Sequence, residues 1–86
     1  MAELNTQELT YEGLLSLLTS FEPDVDFVNE EHLVEDGLLD SLDIAHIVFD
    51  IRRQFGIKIH AGLIRKENFE SAKSIMALLV RIQDEI

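Results

Sequence analysis

Gly37-Leu38-Leu39-Asp40-Ser41-Leu42-Asp43-Ile44-Ala45-His46-Ile47-Val48-Phe49-Asp50-Ile51-Arg52-Arg53-Gln54-Phe55 is the stretch from which the fold is read. From Ser41 onward apolar residues return every three or four positions, which predicts an amphipathic helix ending at Phe55. With 3.6 residues per turn, Ile44, Ile47, Val48, Ile51 and Phe55 share one arc of about 100° and face a core. Leu42, Ala45 and Phe49 share a separate arc on the other side of Ser41, bordered by His46, Arg52 and Arg53. A second apolar arc outside the core stripe marks a candidate docking face. The plainer alternative is that Leu42 and Phe49 tuck under the preceding loop or stand singly in solvent.

On the N-terminal side, residues 22–40 show no sustained period. A connection of that length is unusual between helices. It carries Val25, Phe27, Val28, Leu33, Val34, Leu38 and Leu39, so it is expected to lie ordered against the bundle. A helical turn is expected over Asn29 to Leu33. Before it, Tyr11, Leu14, Leu15, Leu18 and Phe21 recur at helical spacing, and Asn5 with Glu8 reads as a cap with its reciprocal partner. On the C-terminal side, residues 55–59 alternate like a strand, but a lone strand has nothing to pair with, so an extended link is expected. A short helix is expected near residues 61–67. Ser71 reads as the N-cap of a last helix whose stripe is Ala72, Ile75, Leu79, Ile82 and Ile86. The expected fold is all-α: a small three- to four-helix bundle with a long ordered loop between the first and second main helices.

At 86 residues the chain has room for one domain, 1–86, with residues 1–4 expected to fray. Hydrophobic residues form 47% of it, too many for a disordered chain. No cysteine is present, which excludes disulfides, a thiolate metal site and a cysteine nucleophile. The longest apolar run, Ile75 to Val80, is far shorter than a membrane span, and the N-terminus lacks a signal peptide's basic start. The expectations are a cytoplasmic monomer without membrane insertion. Net charge is −10 and uneven: residues 1–51 hold thirteen acids and no Lys or Arg, whereas residues 52–86 hold seven bases against four acids. Such an acidic half repels nucleic acid, so no nucleic-acid partner is expected. It is either a solvated surface or one that steers basic partners.

The residue that carries chemistry is Ser41. A serine hydroxyl at the first position of a helix lies where backbone N–H groups are unpaired and the helix dipole favours negative charge. A phosphate ester there sits in a favourable field, and Gly37 frees the preceding turn. Equally, Asp and Ser are ordinary helix caps and need no function to explain them. His32, His46 and His60 are too far apart to predict a metal site. Asp24, Asp26, Glu30 and Glu31 imitate a calcium loop, but Val28 stands where an oxygen ligand is needed and Asn29 where the turn needs glycine.

Taken in order and spacing, Leu33 to Ile59 resembles the heart of the acyl carrier family, in which an Asp-Ser-Leu opens the second helix. Asp40, Ser41 and Leu42 fill that signature, with Gly37 before it and Asp43 matching an acid common in the fatty-acid branch. Phe55-Gly56-Ile57-Lys58-Ile59 is similar to that family's helix exit, and Asn68-Phe69-Glu70-Ser71 to its lead into the last helix. The resemblance implies a non-catalytic carrier whose Ser41 receives 4′-phosphopantetheine from coenzyme A through a phosphopantetheinyl transferase. Cargo would ride as a thioester on the arm, between an acyl- or aminoacyl-loading enzyme and downstream transferases or synthases. The chain departs from fatty-acid carriers at His46, Arg52 and Arg53, where they usually place acids. That departure implies a dedicated pathway, a specialised acyl, polyketide, peptidyl or aminoacyl system, in place of bulk fatty-acid synthesis. The rival readings are an acidic helical interaction module with no prosthetic group, and a small enzyme with Ser41 as nucleophile.

Overall fold

The computed structural model describes residues 6–85, and three α-helices carry the fold: α1, Tyr11–Phe21; α2, Ser41–Phe55; and α3, Ala72–Asp84. There is no strand among the described residues, and no described helix is long and apolar enough to cross a membrane. The expected fraying of residues 1–4 and the burial of Ile86 fall outside the described residues.

α1 begins later than the sequence predicts. Thr10 is its cap, in extended conformation, and its Oγ1 accepts the Gly13 N–H at 3.0 Å. Asn5 lies outside the described residues, while residues 6–10 are not helical. A tertiary contact holds them otherwise: the Gln7 N–H donates to the Gln54 carbonyl at 2.7 Å, and the Gln54 side-chain amide donates to Gln7 Oε1 at 2.9 Å. Gly13 sits tight in the helix, since an added Cβ would lie 3.0 Å from Thr10 Oγ1 and 3.5 Å from the Phe55 ring. Leu14, Leu17 and Leu18 are buried, whereas Tyr11, Leu15 and Phe21 are only half-buried. α1 packs against both other helices, so its buried face is broader than one stripe and takes in Leu17.

α2 spans the predicted residues and buries Ile44, Ile47, Ile51 and Phe55. Val48, at the edge of that arc, is half-buried. The helix stops at Gly56, whose backbone is left-handed (φ 70°) and whose N–H donates to the Arg52 carbonyl. Residues 57–60 then run as neither helix nor strand, with Ile57 and Ile59 inward and Lys58 outward. The helix expected near residues 61–67 is instead two single 3₁₀ turns, Ala61–Leu63 and Lys66–Asn68. Neither has a side-chain cap, and Gly62 lowers helix propensity in the first. Ser71 caps α3 as read: Ser74 N–H donates to Ser71 Oγ at 3.0 Å and Ser71 N–H to Ser74 Oγ at 3.1 Å. Ala72, Ile75, Leu78 and Leu79 form its buried face, with Ile82 half-buried near its end.

Residues 22–40 contain neither helix nor strand. Phe27, Leu33 and Leu39 plug into the core, but Val28 is 59% exposed and Leu38 lies at the surface. The expected turn at Asn29–Leu33 is displaced to either side, with Glu30 N–H bonding to the Asp26 carbonyl and Asp36 N–H to that of His32.

Candidate functional site

The turn in front of Ser41 is closed by backbone hydrogen bonds. The buried Leu33 carbonyl accepts both the Leu38 and the Leu39 N–H at 2.9 Å, and the Gly37 N–H donates to the Val34 carbonyl at 3.1 Å. Gly37 takes φ 79° with nothing within 4 Å of where a Cβ would stand. Its role is therefore the sign of φ and not a shortage of space, since a side chain there would strain the backbone.

Leu39 then inserts into the core, and Asp40 caps α2 with a reciprocal pair. The Asp43 N–H donates to Asp40 Oδ1 at 2.8 Å, and the Asp40 N–H donates to Asp43 Oδ2 at 3.0 Å. Asp43 thus has a defined structural task, and its charge also suits the positive end of the helix. Ser41 is the first residue of α2 and is exposed. At this position its own N–H and that of Leu42 have no intrahelical acceptor. Its hydroxyl lies at the field-favoured end of a fifteen-residue helix, held from behind by a buried leucine and a two-way cap.

The second arc of α2 is outward-facing throughout. Leu42 is 79% exposed and Phe49 58%, and Ala45, His46, Arg52 and Arg53 are all exposed as well. Neither Leu42 nor Phe49 is tucked under the loop. The Arg53 guanidinium lies 5.7 Å over the Phe49 ring, so the apolar and the basic parts of this face are continuous. Arg52 and Arg53 also occupy the last turn, where cations complement the helix dipole. His46 is placed differently from the rest. Its ring sits 4.8 Å from that of Phe21, tilted by 41°, and its Nε2 is 3.5 Å from Asp50 Oδ2. It forms one wall of an open groove of about 640 Å³ between α1 and α2, which Ser16, Phe21, Asp50 and Arg53 also line.

The other sequence candidates are dispersed. His32 pairs with Glu35 at 3.3 Å, His60 is exposed, and no group of three potential ligands converges among the described residues. Asp26 builds a turn. Its carboxylate accepts the Asn29 side-chain N–H at 2.8 Å and backbone N–H at 3.2 Å, and the Asn29 side chain chiefly holds its pKa below the ordinary value.

One residue was not legible as part of this site. The Glu70 side chain accepts the N–H groups of Val34 and Glu35 at 2.9 and 3.1 Å, joining the serine loop to the lead into α3. The partners are 36 and 35 positions apart, and no local spacing signals such a contact.

Comparison with protein-family models, with curated proteins and with solved structures finds no match for this chain.

Proposed function

We propose that this chain is a carrier protein. Ser41 takes a 4′-phosphopantetheine arm and presents acyl, aminoacyl or peptidyl cargo to partner enzymes. The observation that carries this reading is an exposed serine hydroxyl at the first position of α2, behind an ordered loop and beside an outward apolar face. The resemblance of residues 33–59 to the acyl carrier family points the same way.

The residues suit the group. A phosphate ester on Ser41 Oγ would meet solvent, the free N–H end of α2 and no buried wall. When bound, the arm supplies the thiol that the cysteine-free chain lacks. In the transfer, Ser41 Oγ gives its proton to the transferase and bonds to the phosphorus next to pantetheine. The pyrophosphate P–O bond of coenzyme A breaks, and adenosine 3′,5′-bisphosphate leaves. Asp40 and Asp43 hold the helix start still, while Leu42 offers an apolar contact beside the attachment point.

The partners proposed are a phosphopantetheinyl transferase, a loading enzyme and downstream transferases or synthases. Leu42, Ala45, His46, Phe49, Arg52 and Arg53 form the surface they would read. Its basic end fits a partner with carboxylates around an apolar hollow and repels a basic one. That supports a dedicated pathway over bulk fatty-acid synthesis.

The capping box favours a second reading, since it accounts for Asp40 and Asp43 without any modification. On that reading the chain is an acidic interaction module that carries nothing. Incubation with coenzyme A and a broad-range transferase, followed by intact mass spectrometry, separates the two. The wild type should gain one phosphopantetheine and Ser41→Ala none. An unchanged wild type with several competent transferases refutes the carrier.

A further inference from the structure

The segment leading into α3 is hydrogen-bonded to the loop in front of Ser41. Phe69 is fully buried and fixes this segment in the core. Glu70, the next residue, gathers three consecutive loop amides. Its backbone carbonyl accepts the Leu33 N–H at 2.9 Å, and its Oε1 accepts the Val34 N–H at 2.9 Å and the Glu35 N–H at 3.1 Å. An ionised carboxylate is an acceptor only, and N–H bonds to it are charge-assisted and stronger than neutral ones. It also stands one residue before the Ser71 cap, near the positive end of α3, where negative charge is favoured.

From Glu70 the hydrogen bonds run on toward the serine. The carbonyl of Leu33 accepts from Leu38 and Leu39, Leu39 is buried, and Asp40 follows it as the cap of α2. The Glu70 side chain holds Val34 and Glu35 alone, whereas Leu33 is held by the Glu70 backbone carbonyl, and the buried face of α2 makes no bond to Glu70.

We propose that Glu70 is a positioning residue: its carboxylate clamps Val34 and Glu35 and so sets how Ser41 is offered to the modifying enzyme. It touches no reacting atom and acts through the loop. The enzymatic half of this inference rests on the carrier reading; the clamp does not.

The test uses the full chain with Glu70→Ala and Glu70→Gln. By amide hydrogen exchange on the unmodified protein, Glu70→Ala should speed Val34 and Glu35 about tenfold or more, with Ile47 and Ile51 unchanged. Glu70→Gln, whose amide oxygen accepts the same N–H groups, should restore slow exchange. In transfer from coenzyme A by a broad-range transferase, Glu70→Ala should raise KM for the carrier at least about threefold with kcat unchanged, because docking must then order the loop. Glu70→Gln should return KM toward wild type. Should Glu70→Ala fail to fold, Glu70→Met keeps the side-chain length without the acceptor.

Wild-type exchange at Val34 and Glu35 in the variant lacking the carboxylate overturns the clamp. So does equal acceleration at Ile47 and Ile51, which would mark Glu70 as a general stability residue. Faster loop exchange with an unchanged KM overturns the positioning role. A wild type that takes no arm overturns the carrier reading instead, and exchange then decides the clamp alone.

Discussion

Ile51 and Phe49 lie two residues apart on α2, one fully buried and the other 58% exposed, and truncating each to Ala tests which side of the helix builds the core. Ile51→Ala removes three carbon groups from a site with no solvent contact. At about 0.8 kcal/mol per buried group the transfer loss is about 2.4 kcal/mol. The cavity adds to it, within a range of about 2–5 kcal/mol, so about 3 kcal/mol is expected. For 86 residues at about 2.1 cal/mol/K each, the unfolding entropy is about 180 cal/mol/K, and the thermal midpoint should fall by roughly 17 °C. Phe49→Ala deletes a larger side chain that is mostly in water. Its cost should stay below about 1 kcal/mol, including the contact with the Arg53 guanidinium. Urea denaturation followed by circular dichroism measures both. A loss under about 0.5 kcal/mol for Ile51→Ala, or equal losses for the two variants, would refute the assignment of faces and with it the docking surface proposed on the outer one.

The remaining expectations concern the same helix. On the carrier reading, Arg52→Glu with Arg53→Glu should lower the association rate with the proposed loading enzyme, and the effect should shrink with salt, because screening acts over about 8–10 Å near physiological ionic strength. Phe49→Ala should instead speed dissociation; unchanged low-salt kinetics in the double Glu variant would reduce the arginines to solvated helix-end charges. Asp43→Ala and Asp40→Ala should each cost about 1 kcal/mol in denaturation, with the double variant costing less than the sum because the two share one cap. Strict additivity would mean that the reciprocal cap does not operate in solution.

Much of α2 was legible because both of its faces obey one period. The centres of the inward and outward sets differ by about 140°, so the same count that assigns Ile47 and Ile51 to the core exposes Leu42 and Phe49. α1 was less legible. Leu15 and Leu17 flank the Leu14–Leu18 axis on opposite sides, and periodicity admits either as the third core residue. Packing against both α2 and α3 buried Leu17 and left Leu15 half out. Asn5 with Glu8 has the composition of a cap, but the bonds from Gln7 to Gln54 hold the neighbouring chain out of a helix, and Thr10 takes the cap. Composition alone could not weigh a local cap against a tertiary pair.

The sequence by itself determined the all-helical class, the extent of α2, the Ser71 cap and the position of Ser41 at a helix start. These depend on interactions within three or four residues, which a linear pattern records directly. Only the tertiary structure decided how the serine is held. The Glu70 bonds to Val34 and Glu35 and the paired acceptance at Leu33 join residues from separate elements or across a loop. Their partners are chosen by how the core closes: burying Leu33, Leu39 and Phe69 brings the loop and the lead into α3 within hydrogen-bonding distance. Leu33 is fully buried, so its N–H needs an acceptor, and the Glu70 carbonyl is the one that the closed core puts there, with the carboxylate of the same residue beside half-buried Val34 and exposed Glu35.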